Sequence, residues 1–210
     1  HGRVGWVIKF LSSFFQRRGG RYFMYAVAID GSTSSTGIAA FQKKEELYAY
    51  LNHSVFSFEE EFGKAKYTKK TKTMSKTAYQ RIHKQEKQNL MEQRVHFMMT
   101  HIAIFLDQYQ PKMIVMEDTY GQNDMMTLKM LSRIQGAVIG WGLQHQAIVL
   151  LKAPSRWRKE VGIPLCDEQK VRYKREQLKQ MSQQLVFDAY GLVVGDDAAD
   201  AICMGLSLNT

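Results

Sequence analysis

Residues 112–118, KMIVMED, constrain the fold more than any other stretch of the sequence. A short, continuously apolar segment that ends in acidic residues is typical of a β-strand buried on both faces, and such a strand needs helices on both sides of its sheet. Before this segment, apolar residues recur at steps of four and three, which predicts a helix with one buried face. These residues are Met91, Val95, Met98, Ile102, Phe105 and Tyr109. Pro111 closes that helix, and a similar stripe predicts another helix over residues 124–145.

The other segments extend this α/β pattern. Three of them have the alternation or the β-rich composition of strands, namely residues 24–30, 37–42 and 47–58. The last part of the chain predicts a buried strand at 147–151, a short helix or turn in PSRWRKEVGIP, a polar basic helix at 167–190 and an apolar helix at 196–208. A hairpin followed by crossover units predicts an α/β fold with a mixed five-stranded sheet flanked by helices.

The length and charge of the chain bound its organisation. Its 210 residues, 45% of them apolar and 23% charged, suit one domain with a core of its own. The net charge of +9 favours a polyanionic partner, although residues 1–23 supply five basic residues and no acidic one. We expect residues 1–23 to be an upstream extension and the natural protein to begin at Met24, with residues 24–210 as the domain. The apolar run at 4–15 is interrupted by Lys9, so no membrane span is predicted.

A lysine-rich segment separates the predicted hairpin from the long helix. Residues 63–87 carry nine basic residues and one acidic residue, with little apolar periodicity before Ala78. Such a run is typical of a solvated, mobile loop, and here it is also a candidate for an arm that contacts phosphates.

The stretch AVAIDGSTSSTGI, residues 26–38, has two interpretations. A loop of Gly, Ser and Thr after a strand can cradle a phosphate with its backbone N–H groups. Alternatively, the Asp30 carboxylate at the strand end holds a metal ion, and the small residues form a tight turn into the next strand. The stretch by itself leaves both open.

Acidic residues stand where the predicted fold would bring them together. Asp30 ends the first strand, and Glu117 ends the strand after the long helix. If these strands are neighbours, the two carboxylates lie side by side. Asp197 and Asp200, three residues apart, share one face of the last helix. Asp196, four residues before Asp200, also shares a face with it and is the alternative candidate if the register differs by one.

Carboxylates crowded at one point repel one another unless cations neutralise them. Oxygen-only ligands suit Mg²⁺ or Mn²⁺, and two such ions about 3.5–4 Å apart can clamp a phosphodiester and activate a water molecule. The pattern therefore predicts metal-dependent phosphodiester hydrolysis. Ordinary alternatives are an Asx turn at Asp30, a solvated strand end at Glu117 and a helix cap at Asp197. Asp200, inside an apolar helix, fits such an alternative least.

Several stretches, in this order, resemble the RuvC-type Holliday junction resolvases of the ribonuclease H-like superfamily: AIDGSTSSTGIAAF, IVMEDTY with IQGAVIGWG, WRKEVGI and DDAADAICMG. The resemblance covers residues 24–210. It implies a ribonuclease H-like fold and an endonuclease that cuts four-way and other branched DNA, leaving 5′-phosphate and 3′-hydroxyl ends. It also implies that two Mg²⁺ ions, with Mn²⁺ as an alternative, are bound by the catalytic residues Asp30, Glu117, Asp197 and Asp200.

The resemblance implies further roles in DNA binding and assembly. Tyr120, three positions after Glu117, matches an aromatic residue that meets bases at the junction; an ordinary strand-end aromatic residue is the alternative. The region that contacts phosphates corresponds to Arg158, Lys159, Lys170, Arg172, Lys174 and Arg175, for which a solvated helix face is the alternative. Members of the family are homodimers, and Gly136, Gly140 and Gly142 would allow close helix approach in such a dimer.

Two other functions remain open from the sequence. IDGSTSSTG also resembles the first phosphate loop of the actin, Hsp70 and sugar-kinase ATPases, although those proteins enclose ATP between two such lobes. A non-catalytic protein that binds branched DNA would keep the basic residues without needing the carboxylates. Cys166 and Cys203 lack a CxxC pattern or a nearby His, which predicts buried, reduced thiols in a cytoplasmic protein. The family resemblance adds the expectation that the cell is bacterial. The long lysine-rich segment fits a phage-encoded member.

Overall fold

A five-stranded mixed sheet forms the centre of the protein in the computed structural model, which describes residues 16–18, 21–32, 34–119 and 124–210. Its strands are β3 (Tyr25–Gly31), β4 (Ser35–Lys44), β5 (Leu47–Ser57), β6 (Met113–Glu117) and β7 (Ile148–Lys152). They follow the spatial order β5-β4-β3-β6-β7. β3, β4 and β5 pair antiparallel, whereas β6 pairs parallel with both β3 and β7. The predicted α/β class, mixed sheet and β3–β6 adjacency are confirmed. Two short strands, β1 (Gln16–Arg18) and β2 (Arg21–Phe23), form a separate antiparallel pair.

The helices cover both faces of this sheet. They are α1 (Phe58–Phe62), α2 (Lys76–Tyr109), α3 (Met125–His145), α4 (Pro154–Glu160), α5 (Arg175–Tyr190) and α6 (Asp196–Leu206), followed by a 3₁₀ turn at Ser207–Asn209. One core lies between the sheet and α2 with α3, and it takes the large side chains of β3, Val27 and Ile29. The other core lies between the sheet and α6 with α5, and it takes Ala26 and Ala28. Because those alanines are small, the alanine-rich α6 packs directly on the sheet.

Three sequence-based expectations were wrong in detail. Residues 76–87, expected in a loop, belong to α2, which begins at Lys76 because the Ser75 side chain caps it by accepting a hydrogen bond from the Ala78 N–H (3.1 Å). β7 is an edge strand rather than a buried one, and Ile148 is 52% exposed.

The helix predicted over 167–190 begins only at Arg175. The Asp167 carboxylate accepts hydrogen bonds from the N–H groups of Gln169 (3.0 Å) and Val171 (2.8 Å), and Lys170 adopts a positive φ of 62°. This local turn competes with the helix for the same backbone groups, so the helix starts after it.

Candidate active site

The site lies at the end of β3 and β6, where two parallel strands finish side by side. Ile29 of β3 pairs with Met116 of β6, so the next residues along each strand, Asp30 and Glu117, are neighbours. Side chains alternate between the faces of a strand, which places both carboxylates on the same face of the sheet as Ala28 and Val115, the face covered by α6. Gln135 of α3 fixes the end of β6 by donating a hydrogen bond to the Glu117 carbonyl oxygen (2.9 Å).

Helix α6 brings two more carboxylates to this point. Gly37 of β4 pairs with Asp30, and a Cβ at Gly37 would clash with the backbone carbonyl of Asp197. The missing side chain therefore allows the first turn of α6 to lie directly against the sheet beside Asp30. One turn further along α6, Asp200 is only 4% exposed because it lies between the sheet and α5.

The predicted carboxylates line one cavity of about 420 Å³. Its acidic lining includes Asp30, Glu117, Asp197 and Asp200, and its basic lining consists of Arg158, Arg175 and Lys179. Asp196, the alternative in a shifted register, is not part of this lining; its carboxylate pairs with Lys179. The last helix therefore presents Asp197 and Asp200 to the cavity.

The electrostatics of the cavity show that the carboxylates interact. Burial raises the pKa of Asp30 well above its usual value, and the charges of Glu117, Asp200 and Asp197 raise it further, while Arg158 opposes them. Burial also raises the pKa of Glu117 and of Asp200. A group of acids with raised pKa values, gathered in one cleft, is typical of a functional site.

Two residues of α4 that the sequence did not single out as partners satisfy part of this charge. The indole Nε1 of Trp157 donates a hydrogen bond to Glu117 Oε2 (3.1 Å). Arg158 donates from Nη2 to Asp200 Oδ2 (3.1 Å), and its guanidinium lies 4.3 Å from the centre of the Trp157 ring. Arg158, predicted as a DNA contact, thus lies inside the acidic cavity. Nothing in PSRWRKE indicates which acids these residues meet, because the contacts join segments about 40 residues apart.

The donor set suits a hard divalent cation. All four predicted ligands are carboxylates, and Asp200 Oδ1 is buried without a hydrogen bond among the described residues, since the nearby Ser182 hydroxyl donates to the Leu178 carbonyl (3.3 Å). In the same described part of the chain, however, no three His, Cys, Asp or Glu side chains already form a metal-binding group. The four carboxylates share a cavity, in which Arg158 supplies a positive charge to Asp200 and Trp157 donates a hydrogen bond to Glu117.

The small-residue loop after β3 forms a closed turn. The Ser32 hydroxyl accepts a hydrogen bond from the Ser35 N–H (3.0 Å) and donates one to the Ser35 carbonyl (2.6 Å). The Ser32 N–H also donates to the Ser35 carbonyl (3.0 Å), and the Ser34 N–H points to the Ser32 hydroxyl (3.4 Å). These N–H groups are used within the turn, so they are not arranged to cradle a phosphate. This geometry favours the second interpretation of AVAIDGSTSSTGI, a tight turn beside Asp30.

Four other predicted site residues are not among those that line the cavity. Lys159 is exposed at the end of α4, and Lys170, Arg172 and Lys174 are exposed in the segment that leads to α5. Their role in DNA binding stays a prediction. Tyr120 lies outside the described residues.

Comparison with solved structures supports the same architecture. Thermus thermophilus RuvC in complex with a Holliday junction substrate is 13% identical, with a TM-score of 0.56 over 88% of this chain and 92% of that chain. A second T. thermophilus RuvC structure is 14% identical, with a TM-score of 0.53 over the same shares. The yeast mitochondrial Holliday junction resolvase Ydc2 is 17% identical, with a TM-score of 0.43 over 88% of this chain and 79% of that chain.

At these identities the likeness to the RuvC structures shows a shared fold. The expected likeness to the fold of RuvC is confirmed at that level. No protein-family model matches the sequence, and no curated protein matches it. Among the described helices, none has the length and apolar character needed to cross a membrane.

Proposed function

We propose that the protein is a metal-dependent endonuclease that resolves four-way DNA junctions and cuts other branched DNA. The observation that carries the proposal is the convergence of Asp30, Glu117, Asp197 and Asp200, from two strands and one helix, on a single cavity in a RuvC-like fold. One of the RuvC structures that share this fold was solved with a Holliday junction substrate.

The four carboxylates would hold two Mg²⁺ ions, with Mn²⁺ as an alternative. Such ions, when bound, supply Lewis-acid stabilisation and water activation for phosphodiester hydrolysis. The chain itself contributes orientation: Trp157 fixes the Glu117 carboxylate through its indole N–H, and Gly37 lets α6 carry Asp197 to Asp30. Arg158 offers a positive charge inside the cavity, which balances Asp200 in the metal-free protein and would face a phosphate in the complex.

The proposal extends to assembly and products. Paired cuts in a junction with two-fold symmetry need two sites, so we propose a homodimer that leaves 5′-phosphate and 3′-hydroxyl ends and acts in the cytoplasm of a bacterial cell. The outer face of α3 is compatible with a second subunit: Gly136 and Gly140 are exposed with open space around them, whereas Gly142 packs against Val149 of β7.

An ATP-binding domain is less well supported. The Ser32–Ser35 turn uses its own N–H groups, and the cavity beside it is lined by carboxylates that would repel a triphosphate in the absence of cations. A non-catalytic DNA-binding protein would not need Asp200, a buried carboxylate with an unpaired oxygen, at the bottom of a cleft.

The test is cleavage of a synthetic four-way junction with and without Mg²⁺. We expect paired nicks only with the metal, and a loss of about 10³-fold or more in rate for Glu117→Gln and Asp30→Asn, since a bound metal supplies several kcal/mol. Both variants should bind the junction at least as tightly as the parent because less negative charge faces the phosphates. Asp188→Asn, on the exposed side of α5, is the matched control and should cut normally. Metal-independent cutting, or near-normal cutting by Glu117→Gln, would contradict the proposal.

A further inference from the structure

A second concave surface lies beside the lysine-rich segment, on the face of the sheet covered by α2. It is a cavity of about 830 Å³ between residues 58–67 and one side of α2, and we call it the lysine–aromatic groove. Its walls include Phe62, Lys64, Lys66 and Tyr67, facing Leu90 and Phe97 of α2. The function proposed above does not use this surface.

The groove presents aromatic rings to solvent. Phe62 is 63% exposed, yet its ring is held from behind by Phe58, with ring centres 4.8 Å apart, and by Phe97 at 5.7 Å. Tyr67 is 39% exposed and packs edge-on against His83, with ring centres 4.9 Å apart. Rings that are anchored on one side and open on the other are suited to stacking with unpaired bases.

The segment that contributes Lys64, Lys66 and Tyr67 to the groove is strongly basic. Residues 63–87 contain nine Lys or Arg residues, all of them exposed: Lys64, Lys66, Lys69, Lys70, Lys72, Lys76, Arg81, Lys84 and Lys87. The one acidic residue in this range, Glu86, accepts hydrogen bonds from the Thr68 N–H (3.2 Å). Of the charged residues that line the groove itself, Lys64 and Lys66 are basic and Glu61 and Glu86 are acidic, so the excess of positive charge belongs to the wider lysine-rich segment. This charge complements a nucleic-acid backbone.

The lysine–aromatic groove is linked to the acidic cavity of the carboxylates through the lining residues of a third cavity. A smaller cavity of about 250 Å³ shares Tyr67 and Leu90 with the lysine–aromatic groove, and it shares Thr127 with the catalytic cavity. Lys87 and Arg94 line this connecting cavity, although Arg94 is paired with Glu59 (3.0 Å). A DNA strand lying in the groove and continuing past Thr127 would reach the cavity of the carboxylates.

The length of the groove fits a strand rather than a single nucleotide. Its wall on α2 extends from Glu86 to His101, which is about 22 Å at the helical rise of 1.5 Å per residue. At the 3.4 Å per nucleotide of one strand in a duplex, this corresponds to about six nucleotides.

We propose that the lysine–aromatic groove binds a DNA strand that leads from the scissile phosphate, with Lys64 and Lys66 on its phosphates and Phe62 and Tyr67 stacked on unpaired bases next to the branch point. The inference deepens the proposed junction-cleaving function and rests on it for the identity of the DNA. A strand held there would be positioned relative to the carboxylates by contacts that carry no sequence information.

The test measures binding of the whole protein to a four-way junction without divalent ions, so that no cutting occurs. The charge reversal Lys64→Glu/Lys66→Glu should weaken binding about tenfold or more and reduce the slope of log affinity against log salt by about 1.4–1.8, the contribution of two phosphate contacts. The matched control is Lys43→Glu/Lys44→Glu, which makes the same change in net charge at the opposite end of the sheet.

Stacking is tested with 2-aminopurine placed as an unpaired base next to the branch point. Its fluorescence should be quenched by the parent protein and recover in Phe62→Leu and Tyr67→Leu, which keep an apolar side chain in place of each ring. Tyr190→Leu, which removes a partly exposed ring on the other face of the sheet, should leave the quenching unchanged.

The outcomes separate this inference from the nuclease proposal. Equal affinities or equal salt slopes for the two double-lysine variants would overturn the inference, as would quenching that persists in both leucine variants. Junction cutting that does not depend on Glu117 would refute the nuclease proposal instead, whatever the groove variants show.

Discussion

The buried ion pair between Arg158 and Asp200 allows a direct test of the cavity's electrostatics. The two side chains are only 12% and 5% exposed, and their Nη2 and Oδ2 atoms are 3.1 Å apart. Arg158→Met keeps an apolar stem against Trp157 and removes the charge. Breaking one side of a buried pair costs about 3–5 kcal/mol because an uncompensated charge remains. At about 2–4 °C per kcal/mol for a chain of this size, the melting temperature should fall by about 6–20 °C.

The stability that Arg158→Met loses should depend on pH in a definite direction. Burial raises the pKa of Asp200, and losing Arg158 raises it further, so the carboxylate of the variant takes up a proton as the pH falls. The folded state then binds more protons than the unfolded state, and stability falls as the pH rises through that range. The penalty of Arg158→Met should therefore be largest at neutral or higher pH and should shrink in acid.

Thermal denaturation of the metal-free protein, followed by circular dichroism, measures this penalty. Asp200→Asn in the same background should restore most of the lost stability, giving a coupling energy of at least about 1.5 kcal/mol. Arg156→Met, whose side chain is 69% exposed, is the matched control, and we expect it to cost less than about 1 kcal/mol. A penalty for Arg158→Met no larger than that of the control, or effects of Arg158→Met and Asp200→Asn that simply add, would refute the reasoning.

Other changes test neighbouring contacts. Gly37→Ala should destabilise the protein by about 1–3 kcal/mol in chemical denaturation, because the new Cβ meets the Asp197 backbone; an unchanged midpoint would contradict the close packing of α6 on β4. Trp157→Phe removes the donor to Glu117 and should slow metal-dependent cutting more than it weakens junction binding, as kinetics and binding assays would show. Asp30→Asn should raise the metal-free melting temperature at pH 8. Because the folded pKa of Asp30 is raised, the stability of the parent should fall as the pH rises above about 4, and that of the variant should fall less. Parallel profiles of melting temperature against pH for the two proteins would count against repulsion among the carboxylates.

The sequence by itself determined the class of fold and the acids worth testing. The apolar strand ending at Glu117 and the helical stripes around it require a sheet covered on both faces, because period and burial are local consequences of the residues. The position of Asp30 at the end of a strand followed from the same kind of pattern, whereas its place beside Glu117 depended on the pairing of β3 with β6. The high lysine content of residues 63–87 favoured a loop, although residues 76–87 belong to α2.

Only the tertiary structure decided which side chains pair with the buried acids and which cavities lie next to each other. The pairing of Arg158 with Asp200 and of Trp157 with Glu117 depends on where α4 packs, and the contact of Gly37 with α6 joins residues 160 positions apart. The same holds for the arrangement of the lysine–aromatic groove and the acidic cavity, which are linked by a smaller cavity that shares Tyr67 with the groove and Thr127 with the acidic cavity. A local pattern fixes which face of a strand or helix is apolar. Contacts between distant segments are set by the packing of whole elements, and no short stretch of sequence encodes them.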